Sequence, residues 1–445
     1  MDAKAPDRVI PVCCAPRKAP CPSCGKLGRR KRTHQRDVRT IAYKEIVVLR
    51  ITYGEYESRC DCCKSFRTHP EGVLPKAKYD NKVREAVLEG ILEDHLNVEA
   101  VRRRMKRDFL LDLSTGFVYD CLHDAARQLD MAAHRQQVTE RFSGVLCIDE
   151  LHLGKFTLLL ATDPIGDFPV AFALVSSNDQ EHMERFLRNL QRHGLKVKTA
   201  ITDGSPLYPK LLAELWPKAE HQLCVFHVMQ DLNKLILDAV RRMRMEVGRQ
   251  GRKGRRRKRG RPTKAEKRRR AKQGKLLKDK AKFVFKHRHL IVKRRENLRE
   301  QEQKNLQKML EYMPALKSLR KFADKLHRLF EPEQSEHQAW CRWRALQQSV
   351  EFQAIPELAK ALESLEEKKF AKMIAFLRGP ARRRRRVRTN NHVERCNRKL
   401  RYWEKVRYKW RRRRTLVRYI VLALDRWWQD AFRPEPKPTP TTKSA

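Results

Sequence analysis

From residue 145 the apolar positions fall in three short runs, Val145–Ile148, Phe156–Ala161 and Phe168–Val175. They are broken by Gly154-Lys155 and by Asp163-Pro164-Ile165-Gly166-Asp167. Runs of that length between turn residues predict an antiparallel meander. The period then changes: Gln180–His193 places Met183, Phe186, Leu187 and Leu190 at helical spacing. A strand at Val197–Ile201, a helix at Pro206–Leu215 and a strand at Gln222–Phe226 follow. Three strands, then helix, strand, helix and strand, predict an α/β layered unit.

Elsewhere the pattern is less dense. Ile41–Ile51 is strand-like. Asp80–Arg127 reads as three short helices, with Asn81, Asn97 and Ser114 as capping residues. Leu298, Leu306, Met309, Leu310, Leu316 and Leu319 make Leu290–Phe330 an amphipathic helical run, expected to belong to an all-α insertion at about 240–375. Leu416–Trp428 reads as a packing helix, and Trp403, Tyr408 and Trp410, which alternate with basic residues, as core aromatics rather than base-stacking ones. From Arg249 to Lys272 fifteen residues are Lys or Arg and one, Glu266, is acidic. Such a tract is expected to stay unfolded until it meets phosphates. Arg433–Ala445, rich in Pro and Thr, is expected to be a disordered tail.

Charge narrows the partner. The chain of 445 residues has a formal net charge of +48, so nucleic acid is the partner to expect, though charge alone does not separate DNA from RNA. No apolar run approaches membrane-spanning length and no apolar segment follows a basic N-terminus, so cytoplasmic work on the nucleoid is expected. Within the three short helices, Arg102, Arg103 and Arg104 are positioned to hold phosphates, and the arrangement resembles a helix-turn-helix whose third helix enters the major groove. In the basic tract Lys258-Arg259-Gly260-Arg261-Pro262 is similar to an AT-hook, which would place Arg259 and Arg261 in a narrow minor groove. The Arg382–Arg386 run lies where it could meet the same DNA.

Against this cationic background three acids stand out. Asp149 follows the apolar run Val145-Leu146-Cys147-Ile148, and Asp203 follows Thr199-Ala200-Ile201-Thr202; both are expected at or near strand ends. Glu394 lies in Thr389-Asn390-Asn391-His392-Val393-Glu394, at the start of a helix. Displacement at a phosphodiester needs positive charge to neutralise the transition state, and two divalent ions held by shared carboxylates supply it. Magnesium suits oxygen donors, and neither aspartate needs a displaced pKa. Each acid also has a plainer reading: the aspartates as turn caps, and Glu394 as the far end of a capping box from Asn391. Side chains alternate along a strand, so of Asp149 and Glu150 only Asp149 is expected to face the metals.

Cys21-Pro22-Ser23-Cys24 and Cys60-Asp61-Cys62-Cys63 are two C-x2-C pairs. Cys21, Cys24, Cys60 and Cys63 predict a structural Zn²⁺ in a ribbon, with Cys62 as an alternative to Cys63 and a gap between pairs longer than usual. Cys13 and Cys14 are two further thiols nearby, and the other cysteines, scattered singly, read as small buried hydrophobes.

Cys147-Ile148-Asp149-Glu150, Ile201-Thr202-Asp203-Gly204 and Thr389-Asn390-Asn391-x-Val393-Glu394-Arg395-x-Asn397-Arg398 together resemble the DDE transposases of bacterial insertion sequences. With the cysteine pairs, the chain is most similar to the ISL-three group. Cys224-Val225-Phe226-His227 is similar to a signature that follows the second aspartate in several such families. The resemblance implies an α/β ribonuclease-H-like catalytic domain with an all-α insertion, preceded by a small zinc ribbon and a helix-turn-helix domain. The boundaries expected are 1–75, 76–135, 140–432 and a tail at 433–445. It implies Mg²⁺ or Mn²⁺ on Asp149, Asp203 and Glu394, His227 close to the reacting phosphate, and double-stranded DNA, both element ends and target, as partner. Action as a dimer or higher multimer is expected on the same ground. Asn397, Arg398 and Arg401, three, four and seven residues past Glu394, are expected to grip the DNA beside the cut. A non-enzymatic DNA-binding protein with a decayed catalytic fold, or a simple divalent-metal nuclease, are the competing readings.

Overall fold

The computed structural model describes residues 5–58, 60, 62–253, 263–378, 387–406 and 412–432, with the side chains of 248–253, 270 and 406 set aside. The AT-hook-like Arg259 and Arg261, the Arg382–Arg386 run, Tyr408, Trp410 and the expected tail lie outside the described residues.

The chain opens with a five-stranded sheet of β1 (Arg8–Cys14), β2 (Lys18–Pro20), β3 (Leu27–Thr40), β4 (Val47–Glu57) and β5 (Ser65–Arg67). Its order is β1-β4-β3-β2, with β5 also on β4. The strand expected at Ile41–Ile51 is instead a turn followed by β4. Lys44 takes φ 59°, its N–H donates to the Asp108 carbonyl, and its ammonium to the Arg107 carbonyl, so a tertiary contact overrides local propensity.

Three helices follow, α1 (Asn81–Leu92), α2 (Val98–Phe109) and α3 (Thr115–Gln128), and then α4 (Met131–Arg141). Asn97 and Ser114 cap α2 and α3 as expected, but α1 is capped by Asp80, not Asn81. The Asp80 carboxylate accepts both the Val83 N–H and the Thr40 hydroxyl, which ties the helix start to β3. The helix α4, capped by Asp130, was not foreseen, because its face carries a single buried residue, Val138.

The second sheet contains β6 (Val145–Leu153), β7 (Phe156–Asp163), β8 (Phe168–Val175), β9 (Thr199–Thr202) and β10 (Glu220–Leu223), with α5 (Gln180–Arg192) and α6 (Tyr208–Leu215) between. Its order is β10-β9-β6-β7-β8. The meander β6–β8 is antiparallel, and β9 and β10 join β6 in parallel. Gly154 at φ 61° makes the first turn, and in the second the Asp163 carboxylate accepts the Ile165 and Gly166 N–H groups. Every residue of β7 is buried, as a strand covered on both faces must be.

The strand expected at Gln222–Phe226 stops at Leu223, and Val225 and Phe226 begin α7 (Val225–Lys253). Val225 packs into the helical core rather than the sheet. Next comes α8 (Lys264–His287), opened by a capping box between Thr263 and Glu266, so the basic tract is helical on both sides of residues 254–262. Lys and Arg are good helix formers, and the cap overrides their mutual repulsion.

The amphipathic run Leu290–Phe330 divides at Pro314 into α9 (Glu300–Tyr312) and α10 (Leu316–Leu329). With α11 (Glu336–Gln347), α12 (Val350–Gln353), α13 (Pro356–Ser364) and α14 (Glu367–Met373) they close over an apolar core containing Ile236, Phe322, Phe330 and Phe370. The buried Gln222 amide donates to the Met373 carbonyl and accepts the Phe376 N–H, fixing this bundle to the β10 edge.

The chain returns in α15 (Asn391–Val406) and α16 (Arg413–Phe432). Leu416, Ile420, Leu424 and Trp428 of α16 pack on the second sheet, while its Tyr419, Leu422 and Ala423 pack among α1–α3. One helix therefore serves two cores.

Candidate active site

The site forms where strand pairing stops. β9 accompanies β6 only to Cys147 opposite Ile201, while β6 runs on to Leu153 paired with β7 alone. Asp149 consequently sits in mid-strand rather than at a strand end, and Asp203 directly follows the end of β9. Beyond that point β6 has an open edge.

Oxygens of Asp149, Glu150 and Asp203 all lie within 4.8 Å of one another at this edge. The expectation that alternation would turn Glu150 away is therefore corrected. At this stretch β6 has no neighbouring strand on the β9 side, and the two carboxylates are held by different helices. Asn397 of α15 donates to Asp149 Oδ2 at 2.8 Å, and Tyr208 of α6 donates its hydroxyl to Glu150 Oε1 at 2.5 Å. Asp203 Oδ1 accepts the Ser205 N–H at 2.9 Å, with Gly204 at φ 100° turning the chain. Burial, then the Glu150 charge, pushes the Asp149 carboxyl up to about 7 against the pull of Asn397, so a displaced pKa is present that the chemistry did not require. Glu150 is raised too, first by burial.

Glu394 takes its place in the first turn of α15. Its N–H bonds to the Asn390 carbonyl, but the Asn390 amide donates to the Ile148 carbonyl at 2.7 Å and Glu394 Oε1 has no hydrogen-bond partner, so the capping-box reading fails. Glu394 lies 3.8 Å from His227 Nε2, and a Glu394 oxygen, a ring nitrogen of His227 and the Cys224 sulfur lie within 4.8 Å of one another as a second close group. The His227 pKa is raised, chiefly by the hydrogen bond with Cys224 and further by the Glu394 and Asp203 charges, against desolvation. The two groups are joined by α15: Asn397, one turn beyond Glu394, is the residue holding Asp149.

Asn397 is buried at 6 % exposure and committed to Asp149, so its expected DNA grip is corrected to an orienting role. Arg398 and Arg401 are exposed. Of the helix-turn-helix arginines, Arg102 is tied to Glu99 and the Leu113 carbonyl and Arg104 to Asp94, whereas Arg103 is exposed with no ion-pair partner among the described residues. Trp403 donates to His95 and packs against Tyr419, the core role expected of it.

Near the N-terminus, Cys21, Cys60, Cys62 and Cys63 place their sulfurs within 4.8 Å of one another. A tetrahedron with Zn–S of about 2.3 Å has edges of roughly 3.8 Å. Cys21–Cys60 at 3.7 Å, Cys21–Cys63 at 3.6 Å and Cys60–Cys63 at 3.9 Å match three of these. The fourth member of the group is Cys62, 3.6 Å from Cys21 and 2.8 Å from Cys60, in place of the expected Cys24, which lies outside the group 3.4 Å from Cys62; the expectation that Cys62 stands in for Cys63 is corrected accordingly. Of the other cysteines, Cys121, Cys147, Cys224 and Cys396 are buried and Cys341 is exposed.

Sequence reasoning missed Tyr208 and set Glu150 aside. A tyrosine at the start of a helix gives little sign of its role, although a buried phenol needs a polar partner.

Fold and site define a class: a mixed α/β protein whose sheet gathers carboxylates at an open strand edge. A family model described as a transposase, that of the ISL-three DDE group, matches residues 146–417, and the chain belongs to that family. No curated protein matches it. Among the described residues no helix is long and apolar enough to cross a membrane.

Proposed function

We propose that this transposase binds the terminal inverted repeats of its insertion sequence and catalyses metal-dependent strand cleavage and strand transfer on a ribonuclease-H-like domain. The observation that carries this reading is the convergence of Asp149 and Asp203 at the open edge of β6, with Glu394 one helical turn from the residue that holds Asp149. The domain division is the one read from sequence: a zinc ribbon to residue 75, a helix-turn-helix at 76–135 and the catalytic unit at 140–432, with α7–α14 as its insertion.

The donor set fits hard divalent cations, because Asp149, Asp203 and Glu394 offer carboxylate oxygens and buried Glu394 Oε1 lacks a partner. When bound, two Mg²⁺ or Mn²⁺ ions would neutralise the charge that develops on phosphorus-bound oxygens and align the attacking and leaving groups. The chain's own residues hold the geometry. Asn397 fixes the rotamer of Asp149, Tyr208 that of Glu150, and the Ser205 N–H that of Asp203. Water attack frees a 3′ hydroxyl at the element's end, and that hydroxyl then attacks a target phosphodiester, each step exchanging one P–O bond for another. Arg398, Arg401 and Arg103, exposed on their helices, would hold flanking phosphates, and a structural Zn²⁺ on the thiols would fix the N-terminal sheet. Paired ends call for a dimer or larger assembly.

The test is cleavage of a labelled duplex carrying the element's own end, with Mg²⁺ or Mn²⁺. Wild type should nick at the end, and Asp203→Asn and Glu394→Gln should abolish nicking while retaining DNA binding. Specific binding without cleavage by wild type under either ion would overturn the enzymatic reading.

A further inference from the structure

Beyond the carboxylate edge, α15 also walls an open cavity of about 770 Å³. The opposite wall is the end of α1 and the turn into α2, which contribute Glu93 and His95, and α16 closes it with Trp427. Because Tyr419, Leu422 and Ala423 of α16 pack among α1–α3, the two walls are held against each other. From α15 the lining residues are Arg398, Lys399, Tyr402 and Trp403. Tyr402, eight residues past Glu394, lies roughly 12 Å farther along the helix axis. It is 59 % exposed, so its ring has room for a flat partner. His95 stands nearly perpendicular to it, with 6.2 Å between ring centroids and 82° between planes. The hydrogen bond from Trp403 Nε1 at 2.9 Å fixes His95 in turn.

The charges sort what can enter. Arg398, Lys399 and Arg401 are exposed around Tyr402 with no ion-pair partner among the described residues, and the Lys399 ammonium lies 4.1 Å from the centre of the Trp427 ring. The carboxylates of Glu93 and Asp167 line the same cavity. A phosphate is therefore attracted to the α15 cations and repelled from the interior. A nucleobase is uncharged, presents a π-face to Tyr402 and offers edge N–H groups to the carboxylates. We propose that this cavity takes one unpaired nucleobase of the element's end, stacked on Tyr402, within about four nucleotides of the cut at roughly 3.4 Å per nucleotide. The cavity lies between the α1–α3 helices and the helix that carries Glu394, so a strand held by both crosses it. The inference rests on the transposase reading for the identity of that strand.

The test is a cycle between protein and DNA, using the full chain and end duplexes with an abasic site at each of about four positions on either side of the cut. Affinity and cleavage are both read. Tyr402→Ala should weaken binding of the intact duplex about ten-fold, and at one position the abasic site should erase that loss. A mismatch at the same position should tighten wild-type binding, because unpairing then costs less. Tyr402→Phe keeps the ring and should bind like wild type, whereas Arg398→Gln should weaken intact and abasic duplexes alike. Tyr402 is exposed, so an unchanged melting temperature accompanies its variants. No loss in Tyr402→Ala, an equal loss on intact and abasic duplexes at every position, or a loss as large in Tyr402→Phe would overturn the proposal. Wild type that cleaves the end without this coupling sinks this inference alone. The coupling in a wild type that never cleaves sinks the transposition chemistry alone.

Discussion

The thiol cluster and the carboxylate edge both gather ligand-type side chains, yet they sit in opposite surroundings. Around the thiols the apolar support is four buried residues, Ala19, Cys21, Tyr56 and Phe66, and a second small cluster of Val38, Ile51 and Val73. Around the carboxylates a single large core runs from Val138 to Trp428 and includes every residue from Leu158 to Ala161. A unit with so little core needs a staple, and a metal on the thiols would supply it, so that under the proposed function these ligands are part of what folds it. A unit with ample core can hold three acids close together without unfolding, and under the proposed function that crowding is what a divalent metal would relieve. On the proposed reading, ligand-type side chains thus serve stability in one place and chemistry in the other, and the size of the surrounding core decides which.

The comparison breaks most sharply on removal of the thiol site. Chelation, or Cys60→Ser, should unfold residues up to about 75 and expose them to limited proteolysis, since structural zinc supplies on the order of 10 kcal/mol in small sites. The second sheet should keep its protection, because none of its core residues belongs to the N-terminal clusters. If both regions melt together, the thiols support the whole chain and the contrast is void. A smaller effect is expected at Asn397. Asn397→Ala removes the donor that orients Asp149 and should lower divalent-ion affinity and cleavage about 10- to 100-fold by calorimetry and gel assay, with the fold intact. Wild-type metal affinity in that variant would mean that Asn397 orients nothing.

Much of the second sheet was legible because its strands and helices carry unmixed periods: Met183, Phe186, Leu187 and Leu190 emerged as the buried face of α5, as spaced. Asp149 and Asp203 were legible as acids ending apolar runs. What escaped was tertiary. Alternation alone would send Asp149 and Glu150 to opposite faces, but it does not say that β9 stops pairing with β6 at Cys147 and ends at Thr202, and at that open edge both carboxyls reach the same place. Likewise Asn81 and Asp80 are equally good caps by type, and the choice was made by Thr40 reaching across from β3. Composition misjudged the basic tract on either side of residues 254–262, because charge density says nothing of the Thr263–Glu266 cap that starts α8.

The smallest effect is a pH dependence. In the folded, metal-free chain Asp149 holds its proton to about 7, whereas an unfolded aspartate releases it near 3.8. Between those values the folded state binds more protons, so Asp149 contributes a stability that is present at low pH and fades as pH rises from about 4 through 7. Metal binding runs the other way. A divalent ion must displace that proton, so affinity at the carboxylate edge should climb by up to about ten-fold per pH unit below 7 and level off above it. Calorimetry of Mg²⁺ or Mn²⁺ binding between pH 5.5 and 8.5 reads this slope as proton release, and Asp149→Asn should flatten it (roughly one proton at most). A flat profile in wild type would mean that the Asp149 carboxylate is already ionised across this range and that burial does not hold its proton. The thiol site offers the internal contrast: its ligands lie outside the large core, so its pH profile should not change in Asp149→Asn.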